Sequence, residues 1–402
     1  MKVITDRKRI DEIFNRGIVV EILPSKEEFF SLLLSGKRLR IYIGADPTSD
    51  ALHLSHAKNY MFLEELRRLG HEVIVLFGDF TAKIGDPTGK SEARIQLTEE
   101  QVKKNVKSWL AQIKPLMDFS DKNNTPRIVY NSAWLAKLSL NDVLLLAAQF
   151  TVQQMLERDM FARRLKDNKP IHLHEFLYPL MQGYDSVALD VDVELCGTDQ
   201  IFNALTGRTL LKRLKNKDKF VIAVNLMENP KTKELMSKSK GTGVFLSSPP
   251  EEMYGAIMAQ PDEMIEVMFV NNTRIPLSEK GEIMALGPRD AKARVAFEIV
   301  KKFYGEMRAQ KAAKVFTSRF SKKGAPDEAY EKKVLKMGNR VLIDLVVELA
   351  GIKSKSEARR LIIGGAVELD RKTVTDPNLV IKLGEGKIIR IGKKKFFKIV
   401  PK

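Results

Sequence analysis

Cysteine is almost absent from this chain of 402 residues. The single Cys196 excludes an internal disulfide and any zinc site built on several cysteines. Histidine is nearly as scarce. The five, at positions 53, 56, 71, 172 and 174, form no HExxH arrangement, which argues against a transition-metal enzyme. No apolar run approaches the roughly 18 residues that a membrane helix needs. The opening MKVITDRKRIDEIF carries charge where a secretory leader is greasy, so a cytoplasmic protein with no membrane partner is expected. Two nucleotide-binding signatures are missing as well. IGDPTGKS (84–91) imitates a phosphate loop, but the position five before Gly89 is Ile84 where that motif needs glycine. No GxGxxG follows the first strand, so a dinucleotide-dependent oxidoreductase is unsupported too.

What is present in excess is positive charge, +17 overall. From Glu331 to Lys402, 18 Lys and Arg stand against 8 Asp and Glu, so the last 72 residues hold +10 of that total. A compact basic end beside a nearly balanced body suits a polyanion, most simply nucleic acid. Charge alone describes a solvated surface equally well. The length is too great for one core, and two or three domains are expected.

Periodicity predicts how the chain is laid out. LRIYIGAD (39–46) reads as a strand, Ser55–Leu69 as a helix closed by Gly70, and HEVIVLFGD (71–79) as a buried strand, which together make a βαβ unit. RIVYN (127–131), DVDVELCG (190–197) and KFVIAVN (219–225) read as further strands. Alternation of this kind predicts an α/β fold with an open parallel sheet and ligands at the carboxyl ends of its strands. Between about 132 and 189 the pattern is all helical, including a stretch from 144 to 166, and this insertion is a candidate subunit interface. Strands stop near 250, where Pro249 and Pro250 open a helix, and helical periodicity continues to about Phe320. Residues 321–333 read as a linker, and the rest as a short helix pair followed by a small sheet.

His53 and His56, in HLSH, fall at the start of the helix after the first strand, where free N–H groups and the helix dipole favour an anion. Taken alone, they read better as an N-capped helix start with a surface histidine than as phosphate donors. A second feature shifts the balance. ELMSKSKGTG (234–243) reads as a loop carrying Lys238 and Lys240, suited to charge that develops in a transition state.

These two motifs together resemble the HIGH and KMSKS signatures of class I aminoacyl-tRNA synthetases. YIGADPTSDALHLSH, GDFTAKIGDPTGKS and YPLMQGYDSVALDVDVELCGTDQ are similar, in order and over nearly the whole chain, to the bacterial tyrosyl-tRNA synthetase family. That resemblance implies a class I Rossmann-type catalytic domain (1–247, with the helical insertion at about 132–189), a helical anticodon-side domain (248–325) and a small α+β RNA-binding module (336–402). It implies a homodimer that uses ATP and Mg2+ to activate L-tyrosine and then charges tRNA(Tyr).

The same resemblance assigns residues. Tyr42 and Asp185 would hold the phenolic hydroxyl, and Asp86, Tyr178 and Gln182 the ammonium, with Gln200 near the carboxylate. The chemistry agrees: a hydroxyl wants a donor-acceptor partner and an anionic acceptor, while an ammonium wants acceptors only. Thr48, His53 and His56 would donate to the phosphates of ATP and Lys238 would meet the pyrophosphate. Gly197 and Asp199 would contact ribose, Gly44 and Asp46 would form the floor beneath the adenylate, and the backbone of Met236 would face adenine. In the basic module, Lys355, Arg359, Arg360, Lys393, Lys394 and Lys395 would meet RNA phosphates, which position the RNA without reading much sequence.

Two positions depart from the family pattern. Leu235 stands where the first lysine of KMSKS is expected, and the loss of one transition-state cation costs about 2 to 4 kcal/mol. Ser55 replaces the glycine of HIGH, which restricts close approach to adenine. Two other readings stay open at this point: a tryptophanyl-type ligase, which would not need the Tyr42 and Asp185 pair, and a catalytically silent relative that only binds RNA.

Overall fold

A computed structural model describes residues 2–86, 97–156, 159–236, 243–320, 331–335, 338–352, 354–370, 372–383, 387–392 and 395–401. The chain divides into two compact units, Met1–Ala309 and Gln310–Lys402.

The first unit is organised by a six-stranded sheet of β1 (Val19–Leu23), β2 (Arg40–Ala45), β3 (Glu72–Phe77), β4 (Arg127–Tyr130), β5 (Val193–Gly197) and β6 (Phe220–Val224). The spatial order is β1-β6-β5-β2-β3-β4, all parallel except β1, which pairs antiparallel with β6. Strands β2 to β6 lie where the apolar runs predict them. The central ones are buried on both faces, as with Val73 to Phe77, and that is why they read as continuous apolar stretches. Strand β1 has no such signature. It is an edge strand with Val20 exposed and a register shift between Val19 and Glu21, so neither a continuous nor an alternating pattern survives.

The helix Leu54–Arg68 crosses from β2 to β3. Its last turn carries Arg67 and Arg68, which favour the negative end of the dipole. Gly70 then takes φ +101°, and a β-carbon there would lie 2.9 Å from the Lys2 carbonyl oxygen, so the turn requires glycine.

The insertion is helical as expected, but the stretch 144–166 is not continuous. It divides into the helices Leu140–Ala147, Val152–Leu156 and Asp159–Lys166. The break has a local cause: the Thr151 N–H donates to Gln154 Oε1 at 3.0 Å and the Gln154 N–H to Thr151 Oγ1 at 3.2 Å, a reciprocal cap that starts a new helix inside an apolar-periodic run.

After Pro250 only helices follow in this unit: Pro250–Met258, Met264–Asn272, Lys280–Ala285 and Pro288–Tyr304, with Glu306–Phe320 crossing the division between units. They are tied to the sheet-bearing part by named bonds. Arg16 donates to the carbonyls of Phe269, Val270 and Ile275, and Asn272 Nδ2 donates to the Leu54 carbonyl at 2.8 Å.

The second unit holds the helices Leu342–Ala350 and Lys355–Ile363 and the strands β7 (Glu331–Leu335), β8 (Gly338–Val341), β9 (Val367–Leu369), β10 (Lys372–Thr373), β11 (Val380–Leu383), β12 (Ile388–Ile391) and β13 (Lys395–Pro401). One sheet runs β10-β9-β12-β13-β7 and the other pairs β11 with β8. Leu345, Val346, Ala358, Ile362 and Ile389 form its core. The helix pair and small sheet agree with the sequence reading. The linker assigned to 321–333 does so less well: 321–330 lie outside the described residues, while 331–333 begin β7, parallel to β13. Their sequence, EKK, carries no strand pattern.

Candidate active site

From β2 the chain proceeds outward to β3 and β4, and from β5 outward to β6, so β2 and β5 flank the point where strand order reverses. A crevice at the carboxyl ends of such strands is where an open α/β sheet binds ligands. A cavity of about 360 Å³ lies there, lined by the ends of β2 and β5, the helix Leu54–Arg68 and the helix Leu173–Leu189.

The loop after β2 is held in shape by the helix Glu99–Ile113. Asn105 Nδ2 donates to the Pro47 carbonyl (2.8 Å), Trp109 Nε1 to Ser49 (2.7 Å) and Gln112 Nε2 to Asp50 (2.9 Å), while the Leu52 N–H donates back to Gln112 Oε1 (2.8 Å). Thr48 and His56 are thereby presented to the cavity on pinned backbone.

At one end of the cavity acceptors gather. Tyr178 donates its hydroxyl to Asp46 Oδ2 (2.9 Å), and Thr81 Oγ1 donates to Asp46 Oδ1 (2.6 Å). A β-carbon on Gly78 would lie 2.0 Å from Asp46 Oδ1, so only glycine leaves that carboxylate its place. Gln200 Nε2 donates to Asp86 Oδ2 (2.7 Å), and Asn203 Nδ2 reaches both Gln182 Oε1 and Gln200 Oε1 at 2.8 Å. Carboxylates and oriented amide carbonyls make this end suited to an ammonium.

At the foot of the cavity is Asp185, only 3% exposed. Trp134 Nε1 donates to Asp185 Oδ1 (2.8 Å) and Asn131 Nδ2 to Oδ2 (3.4 Å). Burial pushes this carboxyl well above the usual range, and these two donors oppose the shift. Tyr42 is buried nearby, its hydroxyl 3.0 Å from Ser186 Oγ, and burial reinforced by Glu194 and Asp185 pushes its ionisation up.

On the third side is the histidine helix. The His53 N–H donates to His56 Nδ1 (3.2 Å), which assigns the proton of neutral His56 to Nε2. Burial lowers His53 to about 4 and His56 to about 3, the latter helped by the charges of His53 and Lys58. Both rings are neutral at pH 7. Asp199, pushed up by burial, lies across from Lys58, whose ammonium is 1% exposed and donates to Asn59 Oδ1 at 2.8 Å.

A model of the class I tRNA synthetases (W and Y) matches residues 34–321. The chain belongs to this family. An S4 domain model matches residues 342–386 of the same synthetase. The synthetase is 43% identical to the tyrosine–tRNA ligase of Carboxydothermus hydrogenoformans over 99% of each chain, and 39% identical to that of Thermotoga maritima over 96% of each. A C-terminally truncated mitochondrial tyrosyl-tRNA synthetase from Aspergillus nidulans shares the fold, with a TM-score of 0.66 at 23% identity over 78% of this chain and 94% of that one.

Of the residues that the synthetase resemblance implicates, the cavity brings together Gly44, Asp46, Thr48, His56, Asp86, Tyr178, Gln182, Asp185, Gly197, Asp199 and Gln200. Tyr42, His53 and Met236 do not line it. Tyr42 sits behind on the Ser186 side, and the Met236 N–H is donated to the Met227 carbonyl at 2.8 Å, leaving its carbonyl for any contact. Lys238 lies outside the described residues, as do Lys393 and Lys394. In the second unit Lys355, Arg359 and Arg360 are exposed on one helix, Lys355 paired with Asp344 at 2.6 Å. Lys395 Nζ donates to the Ala350 carbonyl at 2.5 Å, capping a helix end, so this ammonium is held by the fold as well as presented.

The sequence reading missed Asn131, Trp134, Ser186, Glu194, Asn203 and Lys219, which surround the implicated residues and orient them. They are scattered along the chain, and no spacing marks them. Lys58 was also missed, although it occupies a buried position of its helix between Leu54 and Met61, where the period calls for an apolar side chain.

Proposed function

We infer that the protein is a tyrosine–tRNA ligase, which joins L-tyrosine to ATP as tyrosyl-adenylate with release of pyrophosphate and then passes the tyrosyl group to a ribose hydroxyl of tRNA(Tyr). The observation that carries this reading is one cavity with acceptors for an ammonium at one end, a buried carboxylate at its foot and histidine N–H donors on its third side. Full-length relatives named tyrosine–tRNA ligase support it.

In this reading Asp86, Tyr178 and Gln182 hold the tyrosine ammonium, Gln200 the carboxylate side, and Tyr42 with Asp185 the phenol. Thr48, His53, His56 and Lys238 meet the phosphates. Gly197 and Asp199 meet ribose, and Gly44, Asp46 and Met236 complete the nucleotide site. The attacking carboxylate is already ionised at pH 7, so no general base is needed. Rate comes from positioning and from donors aimed at the phosphoryl oxygens. Magnesium enters with ATP, whose phosphate oxygens suit a small hard cation.

The exposed Leu140, Leu144, Leu145, Val152 and Leu173 of the insertion support a homodimer through that face. Residues 1–247 act as the catalytic part, 248–325 as the anticodon-side helical part and 336–402 as the RNA-binding module.

Labelled pyrophosphate should exchange into ATP when tyrosine is supplied. Exchange with tryptophan instead indicates the tryptophanyl-type ligase, and no exchange with intact tRNA binding indicates the silent relative.

A further inference from the structure

Behind Tyr42 lies a set of polar side chains with no part in the reaction as described: Ser186, Glu194 and Lys219, exposed by 0%, 2% and 0%. Lys219 forms a tight ion pair with Glu194 and donates to Ser186 Oγ at 2.8 Å. Ser186 Oγ lies 3.0 Å from the Tyr42 hydroxyl and 3.4 Å from Glu194 Oε2. A β-carbon on Gly207 would lie 2.7 Å from Ser186 Oγ and 2.8 Å from Lys219 Nζ, so the neighbouring helix leaves this contact its space only because it carries glycine there.

Donor counting gives the chain of bonds a direction. An ammonium only donates, a carboxylate only accepts, and a hydroxyl has one proton to give. Lys219 fills an acceptor position on Ser186. The serine proton then goes to the nearer partner, the Tyr42 oxygen, because Glu194 already has Lys219 and Gln182 Nε2 (3.3 Å) as donors. Tyr42, having accepted from Ser186, must give its own proton away from it. At Asp185 the order is reversed: Trp134 and Asn131 aim N–H groups at both oxygens, as suits a group that accepts.

We propose that Lys219 and Ser186 are positioning residues that fix the polarity of the phenol site, turning Tyr42 into a donor and leaving Asp185 as the acceptor, so that the site selects a group able to accept one hydrogen bond and donate one. The inference rests on the tyrosine reading above and deepens it. A phenol hydroxyl meets both demands. An indole N–H satisfies Asp185 but cannot accept from Tyr42, and a phenyl ring satisfies neither. Buried groups left unpaired in this way are what makes a polar pocket reject an analogue. The polarity therefore separates the two amino acids that the W and Y family name spans.

The test is pyrophosphate exchange with tyrosine, phenylalanine and tryptophan, run on the unmodified protein, Ser186→Ala, Tyr42→Phe and the double variant, with thermal melts as a folding check. Ser186→Ala should lower the tyrosine-to-phenylalanine ratio of kcat/KM about tenfold, the effect of one misdirected hydrogen bond. The double variant should lose little beyond Tyr42→Phe alone, because Ser186 acts through Tyr42. An unchanged ratio, or losses that multiply in the double variant, overturns the proposal. If Ser186→Ala does not fold, Ser186→Cys keeps the volume with a poor donor and is read by the same criteria. Absence of tyrosine-dependent exchange in the unmodified protein overturns the tyrosine reading and this inference with it, whereas normal exchange with an unchanged ratio overturns this inference alone.

Discussion

Lys58 shows how a single residue can be at odds with the element that carries it. Its helix buries that position, and desolvation lowers the amine from 10.5 to about 7, with Asp199 opposing. In the unfolded chain the amine keeps its ordinary value, so the unfolded state holds more protons between about pH 7 and 10.5. Folding is therefore penalised fully below pH 7, and the penalty fades as pH rises toward 10.5. At about 1.4 kcal/mol per pKa unit it is on the order of 4 kcal/mol. Lys58→Met should raise the unfolding free energy at pH 6 and lose that advantage by pH 10, as read by denaturant titration at both pH values. A gain that is equal at the two would show that the amine is not strained by burial. Residues of this kind were legible in part. His53 and His56 announced themselves by spacing, and Lys58 offended a helical period. Ser186 and Lys219, 33 positions apart, meet only because β6 lies beside β5, and no local pattern reports that.

Among the elements, the parallel strands were readable because burial on both faces leaves a continuous apolar run. The helix Glu99–Ile113 was not readable as part of the site, since its work is done by Asn105, Trp109 and Gln112 on backbone carbonyls of another segment. The insertion combines both cases. Its helical character showed in the sequence, its capped break at Thr151 did not, and its outer face keeps Leu144 at 60% and Leu145 at 56% exposure. If two subunits meet there, Leu144→Glu with Leu145→Glu should convert a dimer to a monomer with helix content preserved. Sedimentation velocity checks this; a dimeric double variant, or a monomeric unmodified protein, contradicts the proposed interface.

For the molecule as a whole, the concentration of +10 in the last 72 residues was the legible clue to a separate unit, and the observed division at Ala309 and Gln310 gives it a body. Deleting 336–402 should spare tyrosine-dependent pyrophosphate exchange and reduce tRNA charging at least tenfold. Charging by the intact protein should fall as salt rises, because phosphate contacts release counterions. Equal loss of both activities on deletion would count against an RNA-binding role for the module. The loss of strands after 250 suggested a clean separation in the sequence, yet Arg16 reaches across more than 250 positions to the carbonyls around Phe269. Long-range side-chain ties of that sort leave no periodic trace. Asn272, at the end of the same helix, is bonded to the carbonyl of Leu54, the residue next to His53. Packed helices shift as rigid pieces more readily than they deform. A load applied to Met264–Asn272 is thus transmitted to the base of the histidine helix, and the segment works as a lever arm whose short end is the ring of His56.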